Sequence, residues 1–332
     1  MNEGDGNWPK DSFARREVAW QVWFLWAVPV LGLGLWLSLQ LLSDHHSDSK
    51  EIVVVYAAQD QVYAEPILKD FEKQTGVKVR PIYDSEATKT VAIANRLLAE
   101  RKHPRCDVYW GNEELRTRQL ASQNVFRETN GWAAFGYRSR RIAVSATNSI
   151  IPAPVSLVEL TNPIYRGQLA LAYPLFGSTA THLLALRQHW GDAVWENWCH
   201  ALARNKPFLV DGNSVAARMV AKGQVKVALT DSDDIAAENR EGANLKALPI
   251  SSETLLLPNT VAVVRSAPHP DAAQRLFEYL QTRPVTERLI QANAVEGALA
   301  ADVQGSTLRP DWDALLRDLD AGTKLMQSIF LR

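Results

Sequence analysis

Lys226-Val227-Ala228-Leu229-Thr230-Asp231-Ser232-Asp233-Asp234-Ile235 is a short apolar run that stops at a threonine and then presents three carboxylates within four positions. An apolar run of this length reads as a buried strand. Carboxylates at the tip of such a strand place hard oxygen donors where a parallel sheet opens onto a cleft. Asp and Ser are equally at home in a solvated turn. The decapeptide alone leaves both readings open, and the rest of the chain has to weigh them.

Working outward, the same pattern of strand and polar tip recurs. Glu51–Ala58 is a β-branched run ending at Gln59-Asp60, and Val77–Tyr83 ends at Asp84-Ser85-Glu86. Cys106–Trp110 ends at Gly111-Asn112-Glu113-Glu114. Between them, Val62–Thr75 and Thr88–Arg101 carry apolar residues at helical spacing, with Gly76 placed as a C-cap. Strand alternating with helix implies a parallel, doubly wound sheet whose ligands sit beyond the carboxyl ends of the strands. A second series follows from Gln168–Tyr173 through helices near 179–190 and 193–203, strand Pro207–Val210, helix Val215–Lys222 and the opening strand. Arg138–Ala146 reads as a crossing strand, and Leu255–Arg265, with Pro258 and Asn259 inside it, as the return. Helices are expected over 271–282, 286–292 and 311–329.

The chain has 332 residues, with 36 Lys and Arg against 37 Asp and Glu. That length suffices for two lobes, each with its own core, and the balanced charge gives no footprint for nucleic acid. Cys106 and Cys199 make neither a disulfide framework nor a zinc pattern, and each sits in an apolar element. The first fifty residues differ from the rest. Val18–Leu42 is apolar without a charge, long enough to span a bilayer, and preceded by Arg15 and Arg16. The basic flank predicts a cytoplasmic N-terminus and an extracytoplasmic body. Leu39-Gln40-Leu41-Leu42-Ser43 is a poor cleavage site, which favours an uncleaved anchor over a signal peptide. The expected organisation is a cytoplasmic segment 1–17, a transmembrane helix 18–42 and a linker 43–50. Lobe 1 is expected from 51–140 with 260–310, lobe 2 from 141–259, and a C-terminal helical segment from 311–332.

The chemistry-bearing constellations lie at strand ends. Gly177-Ser178-Thr179-Ala180-Thr181 opens a helix whose free N–H groups suit an oxyanion, though Ser178 or Thr179 is also a plain N-cap candidate. Asp211-Gly212-Asn213-Ser214 repeats that geometry, and Asp84 and Glu86 stand in a helix's first turn, where the dipole favours acids. The histidines have no metal-protease spacing, there is no nucleophile elbow, and no Ser-His-Asp set can be placed. An enzyme reading has no catalytic unit to stand on.

The stretches Val54-Val-Tyr-Ala-Ala-Gln-Asp60, Asp70-Phe-Glu-Lys-Gln-Thr-Gly-Val-Lys-Val79, Asp107-Val-Tyr-Trp-Gly-Asn-Glu113, Tyr137-Arg-Ser-Arg-Arg-Ile-Ala-Val144 and Gly212-Asn-Ser-Val-Ala-Ala-Arg218, with the opening run, resemble the ferric-ion-binding branch of the periplasmic solute-binding proteins. The resemblance covers about 51–300. It implies an α/β, two-lobe, type II periplasmic-binding-protein fold, with hinge-connected doubly wound sheets, that serves an ABC permease. It implies a metal site at Asp60, Glu113, Asp233 and Asp234, where the family uses a His, a Glu and two tyrosines, and anion positions near Ser178, Thr179 and Asn213. Asp84, Glu86 and Asp231 complete the expected ligand-facing set. The Thr-Asp-x-Asp-Asp run in place of the tyrosine pair marks a subgroup. The expected cargo is a hard cation such as Fe3+ with phosphate or carbonate, carried by a monomer anchored at the periplasmic face. The competing expectations are a small phosphorylated or zwitterionic solute and a membrane-tethered sensor.

Overall fold

Period-two burial in the first strand sets one half of the molecule. In β1 (Ile52–Ala57), Val53, Val55 and Ala57 face one apolar layer, while Tyr56 and the following Ala58 face the other. The first layer is filled by Tyr63, Ile67, Leu68 and Phe71 of α1 (Gln61–Thr75), which ends at Gly76 in the left-handed region (φ 74°) with its N–H on the Glu72 carbonyl. The second layer is filled by Ile93 and Leu97 of α2 (Lys89–Ala99) and Leu120 of α3 (Glu114–Ser122). β2 (Lys78–Tyr83) and β3 (Val108–Gly111) pair parallel to β1 on either side. Cys106 and Cys199 are free and buried, as their apolar settings imply.

The structure, a computed structural model, describes residues 51–83, 89–129, 131–147, 152–298, 303 and 306–331. The apolar run Val18–Leu42 lies outside those residues, as do Asp84 and Glu86. Among the described residues no helix is long and apolar enough to cross a membrane.

β4 (Trp132–Ser145) is the element on which both halves depend. Its first part, Trp132 to Ser139, pairs antiparallel with β9 (Leu256–Val263). Its second part, Arg140 to Val144, pairs antiparallel with β7 (Val227–Asp231). The strand begins six residues earlier than the alternation of Arg138–Ala146 suggests. The reason is a bulge between Phe135 and Tyr137, where Gly136 takes φ 63° and shifts the register, so one sequence period does not run through. Pro258 stands opposite Tyr137, beyond the last β3 partner pair, Gly111 and Thr260. A proline is tolerable where one neighbouring ladder has ended.

β5 (Leu169–Ala172) lies parallel between β7 and β6 (Phe208–Val210), and β8 (Leu245–Ala247) pairs with the end of β4. Among the described residues the strand order is β2-β1-β3-β9-β4-β7-β5-β6, with β8 off that path. α4 (Gly177–Trp190) and α5 (Asp192–Arg204) bury Leu183, Leu184, Leu186, Trp195 and Trp198 against one face of the second half. α6 (Asn213–Ala221) covers the other with Ala216, Ala217 and Val220.

α7 (Ser232–Arg240) follows β7 with no intervening loop, an outcome the acidic run did not announce. Asp233 and Asp234 are therefore neither turn nor loop but the first turn of a helix, where its dipole favours negative charge. α8 (Pro270–Leu280) and α9 (Arg283–Gln291) return to the first half, and α10 (Trp312–Phe330) packs on α3, α4 and α5.

Candidate functional site

The carboxyl ends of β1, β3, β5, β6 and β7 open onto one cleft. Gln59 and Asp60 line it from the end of β1, and Asn112 from the end of β3. Tyr173, Phe176, Gly177 and Ser178 follow β5, and Asp211, Gly212 and Asn213 follow β6. Asp231, Asp233 and Asp234 come from β7 and α7. Arg138 reaches it from β4. Gly111 has to be a glycine for this placement. A Cβ there would stand 2.3 Å from Thr260 Oγ1, which shares a 2.7 Å hydrogen bond with Thr117. That close approach sets Asn112 at the cleft.

Strand register builds the charged floor. Arg140 is the direct cross-strand partner of Asp231, and Arg138 lies two residues away on the same face of β4. Arg140 is 1% exposed and Arg138 4%. Arg140 Nη1 donates to Asp231 Oδ1 at 2.7 Å, to Asn213 Oδ1 at 2.8 Å and to Ser178 Oγ at 3.3 Å, and Nη2 donates to the Leu229 carbonyl at 3.3 Å. Arg138 Nε approaches Asp231 Oδ2 at 3.2 Å and Asp233 Oδ1 at 3.5 Å, while its Nη1 donates to the Asn112 carbonyl at 2.6 Å. Burial works against both charged states here. For Arg138 it is outweighed by Asp233, Asp231, Asp60 and Asp234, which hold the guanidinium more firmly protonated than usual. For Asp231, burial raises the pKa, but Arg140 and Arg138 more than offset it, leaving the carboxyl below its ordinary range.

The expected site residues divide into three groups. Asp60, Ser178, Asn213, Asp231, Asp233 and Asp234 are brought together at the cleft. Asp231, Asp233 and Asp234 each offer an oxygen within 4.8 Å of the other two. Asp231 nevertheless has both oxygens engaged by protein donors, since Oδ2 also accepts from Ser178 Oγ at 2.8 Å and from Asn213 Nδ2 at 3.3 Å. It serves as the counter-ion of two arginines. Thr179 turns its hydroxyl to Asn213 Oδ1 at 3.2 Å, so its side chain braces the floor. Asp234 Oδ2 lies 3.0 Å from Thr230 Oγ1, which also lies 2.8 Å from the Asn213 carbonyl.

Glu113 is placed differently from its expected role. Its carboxylate caps α3, accepting from the N–H groups of Leu115 at 2.8 Å and Arg116 at 2.9 Å, and takes a further bond from Thr181 at 3.2 Å. It is 2% exposed, is not among the cleft-lining residues, and burial raises its pKa. A glutamate at a strand end has two uses, capping and ligation, and the spacing before α3 satisfies the first. Asp84 and Glu86 lie outside the described residues.

Asn112 and Asp211, from the polar strand tips, and Arg138 also line the site, with Arg140 behind its floor; the two arginines were not among the expected residues. The signal for the arginines was present: Arg138-Ser-Arg-Arg-Ile-Ala-Val144 places charge inside an otherwise apolar strand. Such charges stay buried only when paired. Three helices, α4, α6 and α7, also begin at this floor with no side-chain cap on their first N–H groups. The cleft therefore combines carboxylates with helix N-termini, suiting a cation and an anion in adjacent places.

Comparison with solved structures gives the same architecture. Iron-bound HitA from Pseudomonas aeruginosa superposes with a TM-score of 0.71 at 18% identity, covering 84% of this chain and 99% of that one. The ferric binding protein from Campylobacter jejuni gives 0.70 at 16% identity, covering 83% and 99%. AfuA from Actinobacillus pleuropneumoniae, with exogenous fructose-6-phosphate bound, gives 0.71 at 20% identity, covering 84% and 98%. At these identities the likeness establishes the two-lobe α/β fold. Residues 52–292 match the family described as bacterial extracellular solute-binding protein, and the chain belongs to that family.

Proposed function

We propose that this chain is an extracytoplasmic binding protein that captures a hard cation, ferric iron together with a synergistic anion, and hands it to an ABC permease. The observation that carries this reading is the charge of the cleft. Among its described lining residues, Asp60, Asp211, Asp231, Asp233 and Asp234 face the single guanidinium of Arg138. Five negative charges against one positive leave four, and counting Arg140 behind the floor leaves three. Such a surplus in a walled cleft draws cations and repels free anions. Asp60, Asp233 and Asp234 supply the oxygen donors a hard cation prefers, in place of the tyrosine pair of the ferric-binding branch. The anion partner sits at the N-termini of α4 and α6, on the same floor. Relatives of the same fold whose names record iron binding support this assignment.

The Thr-Asp-x-Asp-Asp run then defines a subgroup in which carboxylates replace phenolates. Lobe 1 consists of 51–140 with 260–310 and lobe 2 of 141–259; the partner change of β4 between Ser139 and Arg140 supports a crossing near that boundary. The 311–332 segment follows them, and 18–42 tethers the protein to the membrane. Among the described residues of the cleft, no set forms a nucleophile–base pair, which supports binding over catalysis.

A second reading has its own observation. Tyr173 and Phe176 line the cleft beside the carboxylates and the helix N-termini, and such an aromatic wall next to polar groups suits a cationic organic solute bearing a phosphate or phosphonate. Thermal denaturation of the full chain separates the two. Ferric iron with phosphate or citrate at one hundred times Kd should stabilise the protein by about 2.7 kcal/mol. A shift with aminoalkylphosphonates or sugar phosphates and none with metals would transfer the assignment to the organic solute. In the same assay, Asp233→Ala with Asp234→Ala should abolish the ligand-induced shift. An unchanged shift would remove the acidic run from the binding site.

A further inference from the structure

The two ends of α7 meet the first half of the molecule at different places. Its first turn faces the cleft through Asp233 and Asp234. Its last residue, Arg240, reaches across to Tyr63 of α1 and to the carbonyl of Ala292, just past α9. Tyr63 is 5% exposed and lies three residues after the cleft residue Asp60. Its Oη accepts from Arg240 Nη2 at 2.7 Å and lies 3.5 Å from the Asp233 carbonyl, to which it donates. The guanidinium carbon of Arg240 stands 5.4 Å from the centroid of the Tyr63 ring.

Neither Tyr63, Arg240 nor Ala292 lines the cleft. The contact nonetheless ties the backbone of a cleft residue, Asp233, to the opposite half through one phenol. We propose that Tyr63 and Arg240 are positioning residues that hold the two lobes closed over the cleft and so set the rate at which cargo leaves. This rests on the cleft being the ligand site, but not on the identity of the cargo. Opening the lobes has to break the Arg240–Tyr63 and Arg240–Ala292 bonds together, whereas ligand approach to the open form does not involve them. The pair therefore acts on the dissociation rate more than on the association rate. Arg240 is exposed, so the effect is moderate, about tenfold, because solvent screens the charge.

Two measurements on the full chain test this. Spin labels on the two lobes, read without any added ligand, should show a larger open fraction in Tyr63→Phe and in Arg240→Ala than in the parent. Tyr63→Phe keeps the buried ring, so the fold is retained. With ferric iron and phosphate as the probe, both variants should release about tenfold faster with nearly unchanged association. The double variant should be no worse than the poorer single one, as expected for partners in one contact. Parent-like lobe distances and release rates in both variants overturn the proposal. If the parent fails to bind iron but the variants still open, the cargo assignment is lost and the latch stands.

Discussion

Asp231→Ala should lower the stability of this protein by about 3–5 kcal/mol, because it leaves the buried Arg140 guanidinium without its carboxylate and takes one of two paired carboxylates from Arg138. Arg140 is fully buried and directs Nη1 to Asp231 Oδ1 at 2.7 Å, and Arg138 approaches Oδ2 at 3.2 Å. Neither can deprotonate to escape the loss, since the arginine pKa lies too high. The expected fall in melting temperature is on the order of 10 °C. Asp231→Asn should do little better. It keeps the shape but turns an amide donor toward Arg138, Arg140, Ser178 or Asn213, all of which donate to Asp231 now. Asp231→Leu with Arg140→Met should recover part of the loss, since it removes both members of one buried pair rather than one. Urea denaturation of the three variants decides this, and a loss under about 1 kcal/mol in Asp231→Ala would show that the floor does not depend on its carboxylate.

Acid sensitivity should trace to His182. It lies one turn after Ser178 on α4, is 1% exposed, and holds Nε2 at 2.8 Å from the Glu253 carbonyl. Burial, and then the neighbouring Arg140 charge, lower its pKa from 6.5 to about 3. The neutral ring is thus the form the fold selects. Below pH 6.5 the unfolded chain takes up a proton that the folded chain refuses until about pH 3. Its contribution is complete above 6.5 and is lost as the pH falls through that window. At 1.36 kcal/mol for each pH unit, the whole window is worth roughly 4–5 kcal/mol as an upper bound. His182→Gln removes the titration, so its stability should change less between pH 7 and pH 4 than the parent's, by several kcal/mol. Asp231 and Glu113 titrate in both proteins and cancel in the comparison. Equal pH slopes for parent and variant would exclude His182 as the acid-labile group.

Local pattern was enough for most of the elements. Strand–helix alternation, the Gly76 cap and the β-branched run of β1 each follow from interactions within a few residues, and they appear within two or three residues of their expected bounds. β4 and α7 were less legible. The bulge at Gly136 breaks the alternation that would have marked the earlier start of β4, and only pairing with β9 keeps that segment extended. α7 carries acids in its first turn that suit a turn as well as a helix, and its packing beside β7 and β8 decides between them.

The cleft divides in the same way. The sequence by itself determined that carboxylates and helix-opening Ser, Thr and Asn residues stand at strand ends, because strand tips and N-caps are local features. It also determined membership in the bacterial extracellular solute-binding protein family, through the match over residues 52–292. Only the tertiary structure decided which carboxylates serve which purpose. Glu113 is drawn into capping α3, and Asp231 becomes the counter-ion of Arg138 and Arg140, because their strand is antiparallel to β7 in one particular register. A shift of that register by one residue would turn both arginines to the opposite face. Asp60, Asp233 and Asp234 remain at the cleft, and that distinction depends on distances across some 170 residues of chain, which no local pattern encodes.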